Sequence, residues 1–343
     1  MKQILNITKI IAVIIGTIIG AGFASGKEIY IFFAQYNNGL IGAIISAILT
    51  GIIIYSTILI VNKYNINDNN EFVKRISNNG RISIILKNII DIFLLITFWI
   101  MSAGFCTFFK QEMGIPIIIT GTINAIVVYT LLMKNIDGII KLNLIVVPIM
   151  IAIIILISIK NHATADILQY NQETQGAFRT IISAILYTSY NSVTLIPIII
   201  SLTSGIENKK TAKGVSIITG IILLVLIIAI YQMLRASTIN VKNIEIPILA
   251  ILDEYHPIEK MIYGISIITA ILTSTISSGY GLLENIKDRK KYKQLAITIC
   301  LLQIPISYIG FSNLVTILYP TFGVIGIAQI IMIINLALFK EKV

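Results

Sequence analysis

Three stretches of the sequence combine residue types that can hold a small charged species inside an apolar surrounding. The first is Gly16-Thr-Ile-Ile-Gly20-Ala21-Gly22-Phe23-Ala-Ser25-Gly26-Lys27-Glu28, with four glycines in eleven residues. Each glycine weakens a helix by about 1 kcal/mol relative to alanine. An opened helix offers unpaired N–H groups at one end and unpaired carbonyls at the other. The N–H end carries positive dipole and suits a carboxylate, whereas free carbonyls suit sodium or an ammonium group. The second stretch is Tyr187-Thr188-Ser189-Tyr190-Asn191-Ser192-Val193-Thr194, followed by Pro197, which lacks an N–H and frees the carbonyl of Val193. The third, Thr273-Ser274-Thr275-Ile276-Ser277-Ser278, sets hydroxyls about one helical turn deep, hard oxygens of the kind that favour small cations. A zwitterionic amino acid offers both charges that such groups bind.

The elements that must position these residues follow from composition. The chain has 343 residues, 56% hydrophobic and 12% charged, with a mean hydropathy of +0.91. Soluble domains carry about 25% charged residues. The charges here are clustered and leave apolar stretches of about 17–25 residues, the length that crosses a ~30 Å hydrocarbon core. The expected fold is an all-α integral membrane protein with ten transmembrane helices. They fall near 9–34, 40–62, 84–109, 115–133, 138–159, 177–203, 213–234, 257–283, 295–311 and 314–339. Water-soluble enzymes and nucleic-acid binders are excluded, and no catalytic residue is expected. An even number of spans puts both termini on one side. Nineteen Lys and Arg residues fall on that side and seven on the other, so both termini are expected in the cytoplasm.

Other chemistries find little support. Cys106 and Cys300 sit inside spans, which argues against a disulfide framework, and no His/Cys cluster has metal-ligand spacing. His162 and His256 fall in outer loops. Ala21-Gly-Phe-Ala-Ser-Gly26-Lys27-Glu28 approaches a phosphate-binding loop, but has Ala for the first Gly and Glu where Ser or Thr would meet magnesium. Short loops leave no room for a nucleotide-binding domain, so any transport is expected to run on a gradient. The basic, apolar N-terminus is expected to stay as a span, since cleaving it would break the charge alternation.

The glycines of the first span admit two readings. Gly16-x-x-x-Gly20 and Gly22-x-x-x-Gly26 fit close helix contacts. Lys27 and Glu28 directly afterwards point instead to a break facing an aqueous vestibule. The two polar interruptions centre on Gly20 and Ser189, 169 residues apart and so close to half the chain. Such pairing is the sequence pointer to an inverted-repeat transporter. One transmembrane domain over 1–343 is expected, with repeats about 9–159 and 177–339 and helices 1 and 6 broken at the midplane.

Gly20-Ala-Gly-Phe-Ala-Ser-Gly26-Lys-Glu-Ile29, followed by aromatics, resembles the signature of the YkvI family of bacterial membrane proteins, within the amino acid–polyamine–organocation superfamily. The Gly16-to-Gly22 pattern ending near Asn38-Gly39, and Leu272-Thr-Ser-Thr275, are similar to the sodium-coupled leucine-transporter type. The resemblance implies a five-plus-five inverted repeat in the bacterial inner membrane, with an amino acid or related small amine held between spans one and six. It implies substrate contacts at Gly20, Ala21, Gly22, Phe23, Ser102, Tyr187, Ser189, Tyr190 and Asn191. It further implies Na+ as coupling ion, on carbonyls of Gly16, Ile19 and Ala270 and hydroxyls of Thr273 and Ser274, with no other cofactor. The third span departs from that type. It has no tyrosine for the substrate carboxylate, and Thr97 and Ser102 are the polar residues there.

The expected function is a sodium-coupled secondary transporter working by alternating access. Alternatives are an amino-acid-sensing receptor subunit of the germinant-receptor type, a proton-coupled transporter, and a structural subunit whose glycines only pack helices. Asp91 fits either a snorkelling pair with Lys87 or a proton-coupling carboxylate. Lys141 fits a loop charge or a fixed ammonium replacing sodium. Tyr30, Phe32, Phe33 and Tyr36 fit an interfacial aromatic belt or an outer gate, and the loop 235–260 a solvated connection or a short lid.

Overall fold

Inside a bilayer no water bonds an exposed peptide group, so apolar stretches must close their hydrogen bonds within themselves, and a helix does this. The computed structural model describes residues 2–77, 80–133, 148–160 and 176–339, apart from Glu207, Thr238, His256, Glu284, Asn285 and Lys287. Lys134, Lys141 and His162, with the first part of the fifth expected span, lie outside the described residues. The first span is divided into α1 (Lys2–Ile18), α2 (Ala21–Ala24), α3 (Lys27–Ile29) and a π-helical turn, Tyr30–Ala34. Then come α4 (Gly39–Tyr64), the short α5 (Asn69–Ser77), α6 (Gly80–Met113), α7 (Ile117–Leu132) and α8 (Pro148–Lys160). The second half holds α9 (Ala177–Leu202), α10 (Lys209–Ala236), α11 (Pro247–Tyr255), α12 (Pro257–Leu283), α13 (Arg289–Ser307) and α14 (Phe311–Phe339). Among the described residues, six helices are long and apolar enough to cross a membrane: α4, α6, α9, α10, α12 and α14. The protein is a multi-pass membrane protein. The other four expected spans are helical over shorter or more polar ranges.

The helices pack in two groups. In one, α9 lies against α4 and α14, α10 lies against α4, and α1 touches both α9 and α10. In the other, α6 packs on α12, α7 on α13, and α13 on α6. That second group has its own apolar core, including Phe98, Val128, Leu132, Ile276 and Ile299, and a buried Asn124–Gln303 hydrogen bond of 3.2 Å. The segment α2 bridges the groups by packing on α12.

Burial does not divide by polarity: a large apolar core is buried, yet isoleucines also line the outward faces. Along α4, Ile41, Ile44, Ile48 and Ile52 are exposed on one face, while Ser46, Thr50 and Thr57 are buried on the other. Lipid is as apolar as isoleucine, so helix association depends on close packing at small residues. Gly51 approaches the carbonyl of Ser216, and Gly220 approaches that of Ala47, so at each point a glycine of one helix lets the backbone of the other come close. Gly323 and Gly326 likewise bring α14 onto the backbone of α9 at Leu186 and Ser189.

The break expected in span six is not found. The helix α9 runs unbroken through the whole polar run and through Pro197. Its hydroxyls turn back onto carbonyls of their own helix: Thr188 onto Ala184 (3.0 Å), Ser192 onto Ser189 (2.7 Å) and Thr194 onto Asn191 (2.9 Å). Side chains bonded in this way satisfy themselves without opening the backbone. The inverted symmetry of broken helices read from Gly20 and Ser189 therefore fails at Ser189.

The α9–α14 seam is open to a direct test. A methyl group at Gly323 would lie 2.7 Å from the Leu186 carbonyl oxygen, whereas one at Gly214 meets nothing within 4 Å. Gly323→Ala is expected to lower the thermal midpoint in detergent, at a cost of about 1–3 kcal/mol. Gly214→Ala should leave the midpoint unchanged or raise it, by up to ~1 kcal/mol of helix propensity.

Candidate functional site

The first span is opened at two places, and the two openings are treated differently. At the first, the amide of Gly20 turns to the carbonyl of Ile18 (2.8 Å) instead of reaching Gly16 one turn back. Gly20 itself is extended, with φ −85° and ψ −174°. The ladder stops there, and the carbonyl of Gly16 loses its regular donor. At the second, Gly26 adopts a left-handed conformation, φ +81°, that favours glycine. Here the freed carbonyls are rebonded by the protein. The Tyr263 hydroxyl donates to the carbonyl of Ala24 (2.6 Å), and the Ile248 amide donates to that of Ser25 (3.1 Å).

The first opening faces the second helix group. A methyl group at Gly20 would lie 3.7 Å from Ser274 Oγ and 3.8 Å from the end of Met101. Ser274 thus adjoins the break, as the sodium reading requires. Thr273 is buried and donates to the carbonyl of Ala270 (3.1 Å), so both of those oxygens are joined on α12. Ile19 is buried at the end of α1. Ser102, next in sequence to Met101, is buried but gives its hydroxyl to the carbonyl of Phe98 (2.8 Å).

Ala21, Gly22 and Phe23 are buried in α2. Gly22 abuts a carboxylate: a methyl group there would lie 2.6 Å from Glu28 Oε2 and 3.1 Å from the Tyr319 ring. Glu28 is only 2% exposed, and its Oε1 accepts a hydrogen bond from the Tyr190 hydroxyl. Asn191 lies beside the same carboxylate and donates to the carbonyl of Tyr187 (3.1 Å). The Tyr190 ring is stacked between Phe32 (5.5 Å) and Tyr319 (4.6 Å). Tyr187 meets Phe32, Phe33 and Tyr190 edge-on, and its buried hydroxyl has no hydrogen-bond partner among the described residues. Ser189 is directed elsewhere, to the seam with α14 against Gly326.

The structure therefore gathers Gly22, Tyr187, Tyr190 and Asn191 around Glu28, and Gly20 against Ser274. Glu28 and Tyr319 are the members that sequence reasoning did not assign to the site. An acidic residue within an apolar span, just past a glycine cluster, was the signal available for Glu28. Lys27 and Glu28 do not border an open vestibule, since both are 2% exposed. Phe32 and Phe33 belong to the buried aromatic cluster and not to an interfacial belt.

Lys27 points away from its neighbour. Its ammonium donates to the carbonyls of Lys242 (2.7 Å) and Ile244 (3.2 Å). Glu245 in the same segment accepts from the Ser312 amide (2.6 Å). Ile246, Ile248, Leu249, Ile251 and Leu252 are buried, so the connection from α10 through α11 is packed over this end of the site. Lys260 adds ion pairs to Glu112 and Asp253, both at 2.7 Å, which tie α12 to α6 and α11. Among the described residues, no three His, Cys, Asp or Glu side chains come together as metal ligands.

The chain is 24% identical over 333 residues to an uncharacterized membrane protein of Bacillus subtilis (strain 168), YkvI, covering 93% of this chain and 92% of that one. The chain resembles YkvI over nearly its full length. It is also 26% identical over 332 residues to the uncharacterized protein YyaD of the same organism, covering 94% of each. No protein-family model matches the chain. Among solved structures, the Eremococcus coleocola manganese transporter, crystallised with an aromatic bis-isothiourea substituted compound, matches at a TM-score of 0.50 and 14% identity. The match covers 99% of this chain and 72% of that one. At that identity the likeness speaks for the fold alone. YkvI is described as a membrane protein, and the fold of this chain is one that a transporter uses.

Lys27 supplies a test of the packed outer segment. With Lys27→Met the carbonyls of Lys242 and Ile244 lose their donor. Trypsin cleavage after Lys242 in detergent is expected to become severalfold faster, with cleavage after Lys209 and Lys210 unchanged.

Proposed function

We propose that the chain is a secondary active transporter of amino acids or related small amines, sodium-coupled and working by alternating access in the bacterial inner membrane. One observation carries this reading. The helix is opened at Ile19–Gly20 inside the protein, against Ser274 and Met101, and not toward lipid. Irregular backbone at membrane depth is tolerated where it is buried in protein or lines a cavity, and transporters use it to hold ions and substrates.

The sodium site would be built from the carbonyls of Gly16, Ile19 and Ala270 and the hydroxyls of Thr273 and Ser274. The released carbonyl of Gly16 and the approach of Ser274 to Gly20 support it. The substrate would lie along Gly20–Phe23, with Ser102 and the α9 residues Tyr187, Tyr190 and Asn191 as further contacts, while Ser189 faces the α14 seam. The joining of Tyr190 and Asn191 to the Gly22 surroundings through Glu28 supports the α9 side.

Helix grouping supports the five-plus-five reading, and the uneven Lys and Arg count supports both termini in the cytoplasm. The first, second, sixth and seventh spans pack together, as do the third, fourth, eighth and ninth. Each group thus contains two spans and their counterparts five positions later, and the tenth span, α14, joins the first group. An inverted repeat would produce this pattern even though only the first of its two central helices is broken.

Uptake of labelled amino acids into proteoliposomes under an inward sodium gradient tests the reading. Accumulation that collapses when the gradient is removed is the expected result, and binding without flux would overturn it. Thr273→Ala combined with Ser274→Ala is expected to raise the sodium concentration for half-maximal uptake about tenfold or more, the loss of a ~1.4 kcal/mol contact. An unchanged sodium titration would remove these two residues from the ion site.

A further inference from the structure

A carboxylate that is 2% exposed needs compensation, and Glu28 has no cationic partner among the described residues. Its sequence neighbour Lys27 is committed to the carbonyls of Lys242 and Ile244 and stands close to Glu245. From α9, Glu28 is faced by Tyr190, Tyr187 and Asn191, and from α14 by Tyr319. From α10, the apolar Leu234 would lie 3.5 Å from a methyl group on Gly26, two residues before Glu28. Hydroxyls and an amide can orient a carboxylate, but they do not neutralise it.

The compensating species must also be small. Oε1 is taken by Tyr190, and Oε2 lies so close to Gly22 that one methyl group would not fit between them. The Tyr190 ring is itself held between Phe32 and Tyr319, so the donor on Oε1 is fixed in place, and Glu28 as a whole is 2% exposed. Of the cations available, a proton needs no further space.

We infer that Glu28 is a proton-binding site of this closed arrangement, neutral while packed against Gly22 and Tyr190 and ionised once those contacts open to water. The proton sits on the carboxyl group, is taken up from water on one side of the membrane, and leaves to water when the packing separates. No bond other than the O–H bond is made or broken. On the transporter reading above, from which it inherits the opening step, this site makes a proton a coupling species beside the ion held at Ser274. Asp91, the acid that the sequence singled out, lies half-buried on α6 and has no part in this cluster.

Infrared difference spectroscopy of the full chain in liposomes, titrated with pH and without substrate, reads the site directly. A protonated-carboxyl band that titrates in the wild type and is missing in Glu28→Gln is the expected result. Tyr190→Phe, which keeps the carboxyl group and removes its donor, should shift the frequency and midpoint of that band. If Glu28→Gln does not fold, the Tyr190→Phe comparison decides alone, and an unmoved band overturns the proposal. Methylammonium serves as a competing probe. A Glu28 that is ionised at every pH tested, with methylammonium binding lost in Glu28→Gln, would make it an ammonium site and overturn the proposal. A titrating band without any uptake would keep the proton site and remove the transporter reading, whereas uptake without the band would do the reverse.

Discussion

A peptide group that leaves its helix within a membrane has no water to bond, so each interruption must be rebonded by protein or left for a ligand. The first span shows both outcomes six residues apart. At Ser25–Gly26 the tertiary structure closes the account, with Tyr263 and Ile248 taking the two freed carbonyls. At Ile19–Gly20 the Gly20 amide has turned away from Gly16, and the nearest hydroxyl in the opposite helix group belongs to Ser274. The opening at Gly26 sets the direction of the chain; the one at Gly20 leaves polar backbone where two groups of helices meet.

The left-handed turn at Gly26 has a further effect on charge. It sends two adjacent charged side chains in different directions, Lys27 to the backbone of the outer segment and Glu28 into the aromatic cluster of α9 and α14. Both groups are buried, and neither neutralises the other. The outer segment and the central cluster are therefore tied to the same three residues. A movement of α3 that separates Glu28 from Tyr190 also pulls on the contacts of Lys27 with Lys242 and Ile244. This gives a physical link between the covering over the site and the charge inside it.

Between the helices, packing at small residues adds to the burial of apolar side chains. Gly51 with Gly220, and Gly323 with Gly326, let backbones approach one another, while isoleucines are turned outward. These contacts hold α4, α9, α10 and α14 as one group. The separate core of α6, α7, α12 and α13 is joined to it through α2 and through contacts of α14 with α6. The candidate site lies on that junction, where relative movement of two packed groups would change access to it.

Apolar length and the clustering of charge determined the helical membrane class and the positions of the helices, because both depend on local composition against a bilayer of fixed thickness. The glycines at 20, 22 and 26 likewise announced the interruption of span one, since a missing Cβ weakens a helix wherever it stands. What Tyr187–Thr194 would do was not legible. A hydroxyl can open a helix or bond back into it, and in α9 the seam with α14 accompanies the second outcome. Nor could composition say that Glu28 is buried, or that it meets Tyr190 and Tyr319 from 162 and 291 residues further along the chain. Burial and partnership at such separations are properties of how helices pack, and only the tertiary structure decides them.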